Sequence, residues 1–333
     1  MKIIVIQPQS GVPKYKQIVS SIEMAIAENR IAKGDQLPSV NKVCLEFGIS
    51  RDTVLWAYEE LKKRGIVFAI PGKGYYIKST EFSFEQRFFV LFDELNAFKE
   101  DLYVSFLEAI ENKAQVDIYF HHFNEVWFRK LINESNGFYT KYIIMPTHLK
   151  GAAQAIKVLP DNDVYILDQT HAELNQYPAI YQNFSQDMYQ SLKEALSLLR
   201  KFHKLVLLYP GFKEPYGMVV GFEQFATEFS FPFEVISHFG PGEKIEKGTV
   251  YVIPNDRHLV QVLEQAQTQN LTIAQDYGII SYNDTPLKKV VANGITTIST
   301  DFEFMGKCLA DMVLNNKKKS LQNPCRLLIR NSI

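Results

Sequence analysis

Ser50, Arg51 and Thr53, in the stretch "GISRDTV", set two hydroxyls and a guanidinium within four consecutive positions just after Gly48 and Ile49. Such groups at a helix N-terminus stand beside backbone N–H groups that no helical carbonyl accepts, and together they form a donor-rich mouth for phosphate. The arginine fork also matches the two acceptors on a guanine edge, a contact that discriminates by about 1–3 kcal/mol. A second set lies downstream, where short apolar runs end in polar residues: Asp93 and Asn96, Thr147 and His148, Asp168, Asn255 and Asp256, Asn283 and Asp284. Carboxylates and amides there can exchange hydrogen bonds with a small polar ligand, which open α/β sheets bind beyond the carboxyl ends of their strands.

The elements that position the first set are short and strongly punctuated. In "YKQIVSSIEMAIAEN", Ile18, Ile22, Ala25 and Ile26 share one helical stripe. Ser39 caps a second helix that stops near Gly48, and Ser50 caps a third that ends before Gly65. Val54, Ala57, Tyr58 and Leu61 form the inward face of that third helix, with Asp52 and Trp56 opposite. "IVFAI" and "YYIK" then flank a Pro-Gly-Lys-Gly turn, which predicts a hairpin. The order "PKYKQIVSSIEMAIAENRIAKGDQLPSVNKVCLEFGISRDTVLWAYEELKKRGIVFAIPGKGYYI" resembles the winged helix-turn-helix domain of the GntR transcription-factor family. That resemblance implies DNA contacts from Ser39, Ser50, Arg51 and Thr53 and from the wing residues Gly72, Lys73 and Gly74. Two positions depart from the family pattern. Asn41, followed by Lys42, stands where arginine is frequent, and Asn41 could read adenine there; Leu55 replaces a second frequent arginine.

Charge is split along the chain. Residues 1–78 hold twelve Lys/Arg against seven Asp/Glu, a net of +5, which leaves −6 for the remainder of a chain whose total is −1. A basic head on an acidic body points to a polyanionic partner for the head. Cys44, Cys308 and Cys325 are far apart with no CxxC spacing, so neither a disulfide framework nor a zinc site is expected. No run of eighteen apolar residues exists and "MKIIVIQPQSG" is too short in apolar residues for a signal peptide, so a cytoplasmic location is expected.

After a polar linker over 79–86, short apolar strands alternate with amphipathic helices. "RFFVLFD", "VDIYFHHF", "YIIMP" and "VYILD" make one series; "KLVLLYP", "FEVISH", "TVYVIP" and "YGIISYND" make another. Such alternation predicts α/β architecture with two doubly wound parallel-sheet subdomains and a cleft between them. The final third resembles the sugar-binding core of the LacI family, which shares its fold with periplasmic sugar-binding proteins. The residues that carry this are Asn255-Asp256, "SYND" at 281–284, "TTI" at 296–298, Gly306 and the terminal "CRLLIRNS", with weaker matches from residue 87 onward. The likeness implies an effector-binding body over 87–333, with chain crossings between subdomains near 183, 298 and 322. It also implies contacts to ligand hydroxyls from Asn255 and Asn283 with Asp256 and Asp284 behind them, from Asp168, and apolar ring faces at Phe98 and Phe302. The family tends to place an arginine three residues before the Gly of "GFE"; Met218 stands there, and Lys213 or Tyr216 could substitute.

Catalytic motifs are missing from the sequence: no GxSxG elbow, P-loop or HExxH is present, and Gly72-Lys73-Gly74 lacks the length of a phosphate loop. His121-His122 has no companion at metal-ligand spacing and reads as a surface pair, and "NKKKSLQN" reads as a solvated connection. The combined reading is a transcriptional regulator, a repressor, controlled by a carbohydrate or sugar phosphate. It expects no cofactor or metal, two copies on double-stranded operator DNA, and a domain pairing that resembles arabinose-responsive repressors. Two alternatives remain. One is a pyridoxal-phosphate enzyme of the GntR-headed type, for which the body is short and no Schiff-base lysine is evident; the other is a sugar-binding protein without a DNA role.

Overall fold

The computed structural model describes residues 3–7, 12–80, 86–211, 213–240 and 242–333. The head begins with helix α1 (Lys14–Ala27), followed by α2 (Val40–Phe47), α3 (Arg51–Lys63) and the antiparallel strands β1 (Val67–Ile70) and β2 (Gly74–Ile77). Ser39 Oγ accepts from Lys42 N at 3.2 Å and Ser50 Oγ from Thr53 N at 3.3 Å, so both short helices start on side-chain caps. Gly48 takes the left-handed conformation (φ +61°) and donates its N–H to Cys44 O at 2.9 Å, which stops α2 and turns the chain into α3. Ile18, Ile22 and Ala25 pack with Val54, Ala57, Tyr58 and Leu61, all fully buried. Tyr58 satisfies its hydroxyl on Pro38 O at 2.6 Å and so ties α3 to the lead-in of α2. The linker predicted over 79–86 falls largely on 81–85, outside the described residues. The head rests on the body where Lys16 Nζ lies 3.8 Å from the Phe138 ring centroid.

The body's first sheet is built from β3 (Gln86–Phe92), α4 (Ala97–Ile110), β4 (Ala114–Phe120), α5 (Glu125–Ser135), β5 (Lys141–Ile144), α6 (Ala152–Ile156), β6 (Val164–Asp168) and β7 (Ala179–Tyr181). The chain then enters α7 (Phe184–Glu194) and α8 (Leu196–Leu199). A second unit follows from β8 (Lys204–Leu208), α9 (Gly217–Glu228), β9 (Phe233–Ile236), β10 (Thr249–Ile253), α10 (Asp256–Thr268), β11 (Tyr277–Tyr282), α11 (Pro286–Val290) and β12 (Thr296–Thr300). After β12 the chain returns: α12 (Phe302–Leu314) packs on α4, and β13 (Leu321–Gln322) pairs with β7. A last crossing places β14 (Cys325–Leu328) beside β12. The sheet orders are β13-β7-β6-β5-β3-β4 and β14-β12-β11-β10-β8-β9.

Every pairing in these two sheets is parallel except β12 with β14. The exception has a topological reason. β12 runs toward the junction of the units and leaves through it, whereas β14 starts at that junction and must run away from it. The central strands β5, β6, β10 and β11 are buried along their whole length, which helices on both faces require.

Some local expectations are revised. The apolar and polar alternation of "LKGAAQAIKVL", which reads as one of the amphipathic helices between strands, yields only the five residues of α6, bounded by Gly151 in the left-handed region and by the turn before Pro160. The histidine pair splits: His121 is fully buried with Nε2 3.0 Å from Met145 O and its ring edge-on to Phe128, because the strand end points inward beneath α5; only His122 is exposed. No helix among the described residues is long and apolar enough to cross a membrane, and no cluster of three or more potential metal ligands occurs among them.

Candidate functional site

Two surfaces collect the residues singled out above. On the head, Ser39, Asn41 and Lys42 lie at the mouth of α2, and Ser50, Arg51 and Thr53 at the mouth of α3; all are exposed except the half-buried Thr53. Arg51 Nη1 donates to Asn41 Oδ1 at 3.2 Å, so the amide of one helix orients the guanidinium of the other. Ser50 and Thr53 share a hydroxyl–hydroxyl bond of 2.7 Å. The wing turn is anchored by Gln36, whose Nε2 donates to Lys73 O at 2.6 Å; Gly72 (φ +74°) and Gly74 (φ +108°) both take the conformation that favours glycine. Lys73 is thereby presented as an exposed cation at the ribbon tip.

The second surface is a cavity of about 390 Å³ between the carboxyl ends of the two sheets. Asp93, Asn96, Phe98 and Asp168 line it from the first unit; Lys213, Asn255, Asp256 and Asn283 line it from the second. An outer compartment of about 420 Å³ shares Gln169, Gln182, Phe184, Glu214 and Pro215 with it and carries His148 and Tyr216. Asp284 and Phe302 do not reach the wall. Asp284 is held by a bidentate pair with Arg330 (2.7 Å to each oxygen), and Phe302 lies behind Phe98, stacked at 5.0 Å between ring centroids. A larger cavity of about 980 Å³ lies between residues 3–7, α1 and residues 136 and 158–160. No carboxylate converges on it among the described residues, so the inter-sheet cleft is the better chemical candidate.

The cleft's polar groups are held in a connected network. Lys99, buried in the first turn of α4, is ion-paired with buried Asp93, whose Oδ1 also accepts from Glu94 N at 2.6 Å. Asp168 is 4% exposed and left-handed (φ +73°), and burial pushes its carboxyl up from the usual carboxylate range despite the opposing pull of Lys99. Gln182 Nε2 donates to Asp168 Oδ1, and Gln182 Oε1 accepts from Thr300 Oγ1 at 2.5 Å. Gln182 sits where the chain first leaves the first unit and Thr300 where it returns. The third crossing joins them through Asn323, whose N–H donates to Tyr181 O at 2.7 Å and whose Nδ2 donates to Asp301 O at 3.0 Å.

On the opposite wall Asn255 caps α10 and donates Nδ2 to Glu214 Oε1 at 3.2 Å. Asn283 is left-handed (φ +57°), and its Oδ1 is buried with no donor among the described residues. The turn is braced by buried Lys288, whose Nζ donates to Tyr282 O at 2.8 Å and Asn283 O at 2.9 Å and pairs with Asp256 at 2.8 Å. Burial holds the Lys288 ammonium below the usual lysine range. Lys213 bridges the units by pairing with Glu94.

Lys99, Gln182, Glu214, Phe123 and Met218 line the cleft without having been singled out as wall residues from the sequence. Lys99 had a usable signal, three residues after the capping Asn96 on a strand-to-helix turn. Gln182 and Glu214 had none.

Residues 14–77 match the profile of the bacterial regulatory proteins of the gntR family, and residues 241–333 match the periplasmic binding protein-like domain. The chain joins a GntR-type head to a periplasmic-binding-protein-like body. The head is similar to the mannosyl-D-glycerate transport/metabolism system repressor MngR of Escherichia coli, 35% identical over 82 residues, which are 25% of this chain and 34% of that protein. It is also similar to the transcriptional repressor YtrA of Bacillus subtilis, 35% identical over 75 residues, 22% of this chain and 58% of the relative. The chain thus spans between about a third and three fifths of the length of these relatives. The body superposes on a LacI family regulator from Lactobacillus casei with bound glucose (TM-score 0.61, 14% identity, 74% of this chain and 100% of that one). It superposes equally on a periplasmic binding protein/LacI regulator from Alkaliphilus metalliredigens complexed with D-xylulofuranose (TM-score 0.60, 12% identity, 74% and 99%). At these identities the structural likeness establishes the fold of the periplasmic-binding-protein-like body.

Proposed function

We propose that the protein is a sequence-specific transcriptional regulator, a repressor, whose grip on operator DNA is set by a small carbohydrate or sugar phosphate in the body's cleft. The observation that carries this is the presence, in one chain, of two capped helix mouths with an exposed wing cation and of a polar cleft crossed three times by the chain. DNA contacts are assigned to Ser39, Asn41, Lys42, Ser50, Arg51, Thr53 and the wing tip at 72–74. Effector contacts are assigned to the cleft-wall residues, with His148 and Tyr216 at the outer end. The working boundaries are 1–78 for the head, 79–86 for the linker and 87–333 for the body.

Two copies on a symmetric operator, cytoplasmic location and the absence of catalysis belong to the same reading. It draws support from the repressor relatives and from structural neighbours with bound glucose and D-xylulofuranose. In this mechanism effector binding closes the two units on each other through the crossings at Gln182, Thr300 and Asn323. Closure repositions the heads relative to the two half-sites. Selection of DNA from a random pool by the purified chain tests it. Enrichment of a two-fold symmetric sequence whose retention changes with a cleft ligand supports the proposal; failure to enrich any sequence contradicts it.

A further inference from the structure

The charge on the cleft wall restricts the effector's chemistry, an inference that rests on the carbohydrate reading above. Five carboxylates (Asp93, Glu94, Asp168, Glu214, Asp256) face the inner cavity against three cations, Lys99, Lys213 and Arg257. Two of those cations are already committed, Lys99 to Asp93 and Lys213 to Glu94, and Arg257 is exposed at the rim. Asp168 and Glu214, one on each side of the cleft, form no ion pair among the described residues. Their partners are amides: Gln182 on Asp168 and Asn255 on Glu214. Met218, 4% exposed, contributes a thioether to the wall and no positive charge.

An anion could still be drawn to helix N-termini. Three that open on the cleft, those of α4, α7 and α10, are occupied by the side chains of Asn96, Asn183 and Asn255. The fourth, α9, has no side-chain cap, but Glu214 stands three residues before its first residue and supplies negative charge there. Among the described residues, a phosphate ester entering this cleft would meet two carboxylates that have no ion-pair partner and no free buried cation. A hydroxyl or an ammonium group would find acceptors on both walls, with the Asn283 Oδ1 also vacant. Phe98, Phe123, Phe184 and Tyr282 supply the apolar faces on which the C–H side of a ring can lie.

We infer that the effector carries no phosphate: it is a neutral or amino-substituted polyhydroxy compound that donates to Asp168 and Glu214 from the two sides of the cleft.

Isothermal titration of the full chain decides this, with matched sets of free pentoses and hexoses, their 2-amino derivatives and their phosphate esters. At least one free or amino sugar is expected to bind, with its phosphate ester at least about tenfold weaker. A phosphate ester that binds as tightly as its parent or more tightly overturns the inference and leaves the carbohydrate reading standing. Binding by no member of any of the three classes overturns both. Glu214 is half-exposed, so Glu214→Gln should keep the fold. It is expected to weaken the free sugar at least about fivefold, and unchanged or tighter binding removes Glu214 from the contact.

Discussion

Gln182 is the residue through which the cleft reaches the crossings, and Gln182→Leu tests that link at nearly constant volume. The substitution removes two buried hydrogen bonds at once, one to the Asp168 carboxyl and one from the Thr300 hydroxyl. Both partners stay buried, at 4% and 7% exposure. A buried polar group left unsatisfied costs about 1–3 kcal/mol, with the larger values at charged groups, so the pair should cost roughly 3 kcal/mol. For a body of this size that corresponds to a melting temperature lower by about 6–12 °C.

The deficit should depend on pH, with a definite sign. Burial already raises the Asp168 carboxyl above its unfolded value, and losing the Gln182 donor raises it further. A group whose folded value lies above its unfolded one favours the fold at low pH and loses that contribution as pH rises through the folded value. The gap between variant and wild type should therefore be larger at pH 8 than at pH 5. Thermal unfolding of wild type, Gln182→Leu, Asp168→Asn and the double variant at both pH values forms a double-mutant cycle. A melting temperature within a degree of wild type at pH 8, or equal deficits at the two pH values, would refute the reasoning.

Four further outcomes follow from the same geometry. Arg51→Ala should abolish sequence preference in a gel-shift competition, at a cost of about 1–3 kcal/mol, and leave the melting temperature unchanged. Asn41→Ala should lower selectivity less, because Asn41 orients Arg51 by a single hydrogen bond. Burial pushes the Asp187 carboxyl up to about 7, with Oδ2 unpartnered among the described residues. Its contribution to stability is full below the unfolded carboxylate value and is lost as pH rises toward 7, so Asp187→Asn should raise the melting temperature relative to wild type by a few degrees at pH 8 and hardly at all at pH 4. Asp284→Ala strands the Arg330 guanidinium and should cost about 3 kcal/mol in denaturant unfolding, with sugar affinity unaffected in direct titration unless the fold is lost.

The head was legible because its signals are local. Ser39, Ser50 and Gly48 act within three or four residues of themselves, and the winged domain is a contiguous run of such signals. The body's strands and helices were legible for the same reason, since alternation of short apolar runs needs no knowledge of what packs against what. Cleft positions at or just beyond the carboxyl ends of strands, such as Asp93, Asp168, Asn255 and Asn283, could be named from that rule.

What lay beyond it depends on tertiary pairing. Asp284 and Asn283 are adjacent in the chain, and only the approach of Arg330 from the terminal segment decides that one is held in an ion pair and the other faces the cavity. Phe302 and Phe98 differ only in which ring of a stacked pair lies nearer the cavity. Gln182 acquires its role from Thr300, 118 residues away in sequence, and no spacing rule connects them.

The most direct test of the account is operator affinity measured by fluorescence anisotropy without ligand and with saturating cleft ligand, together with ligand affinity measured with and without operator. A coupling of about 1–3 kcal/mol should change operator affinity roughly 5- to 150-fold, and thermodynamic reciprocity requires the same factor on the ligand side. Operator affinity that stays constant as the cleft fills would contradict the claim that the two sites form one switch.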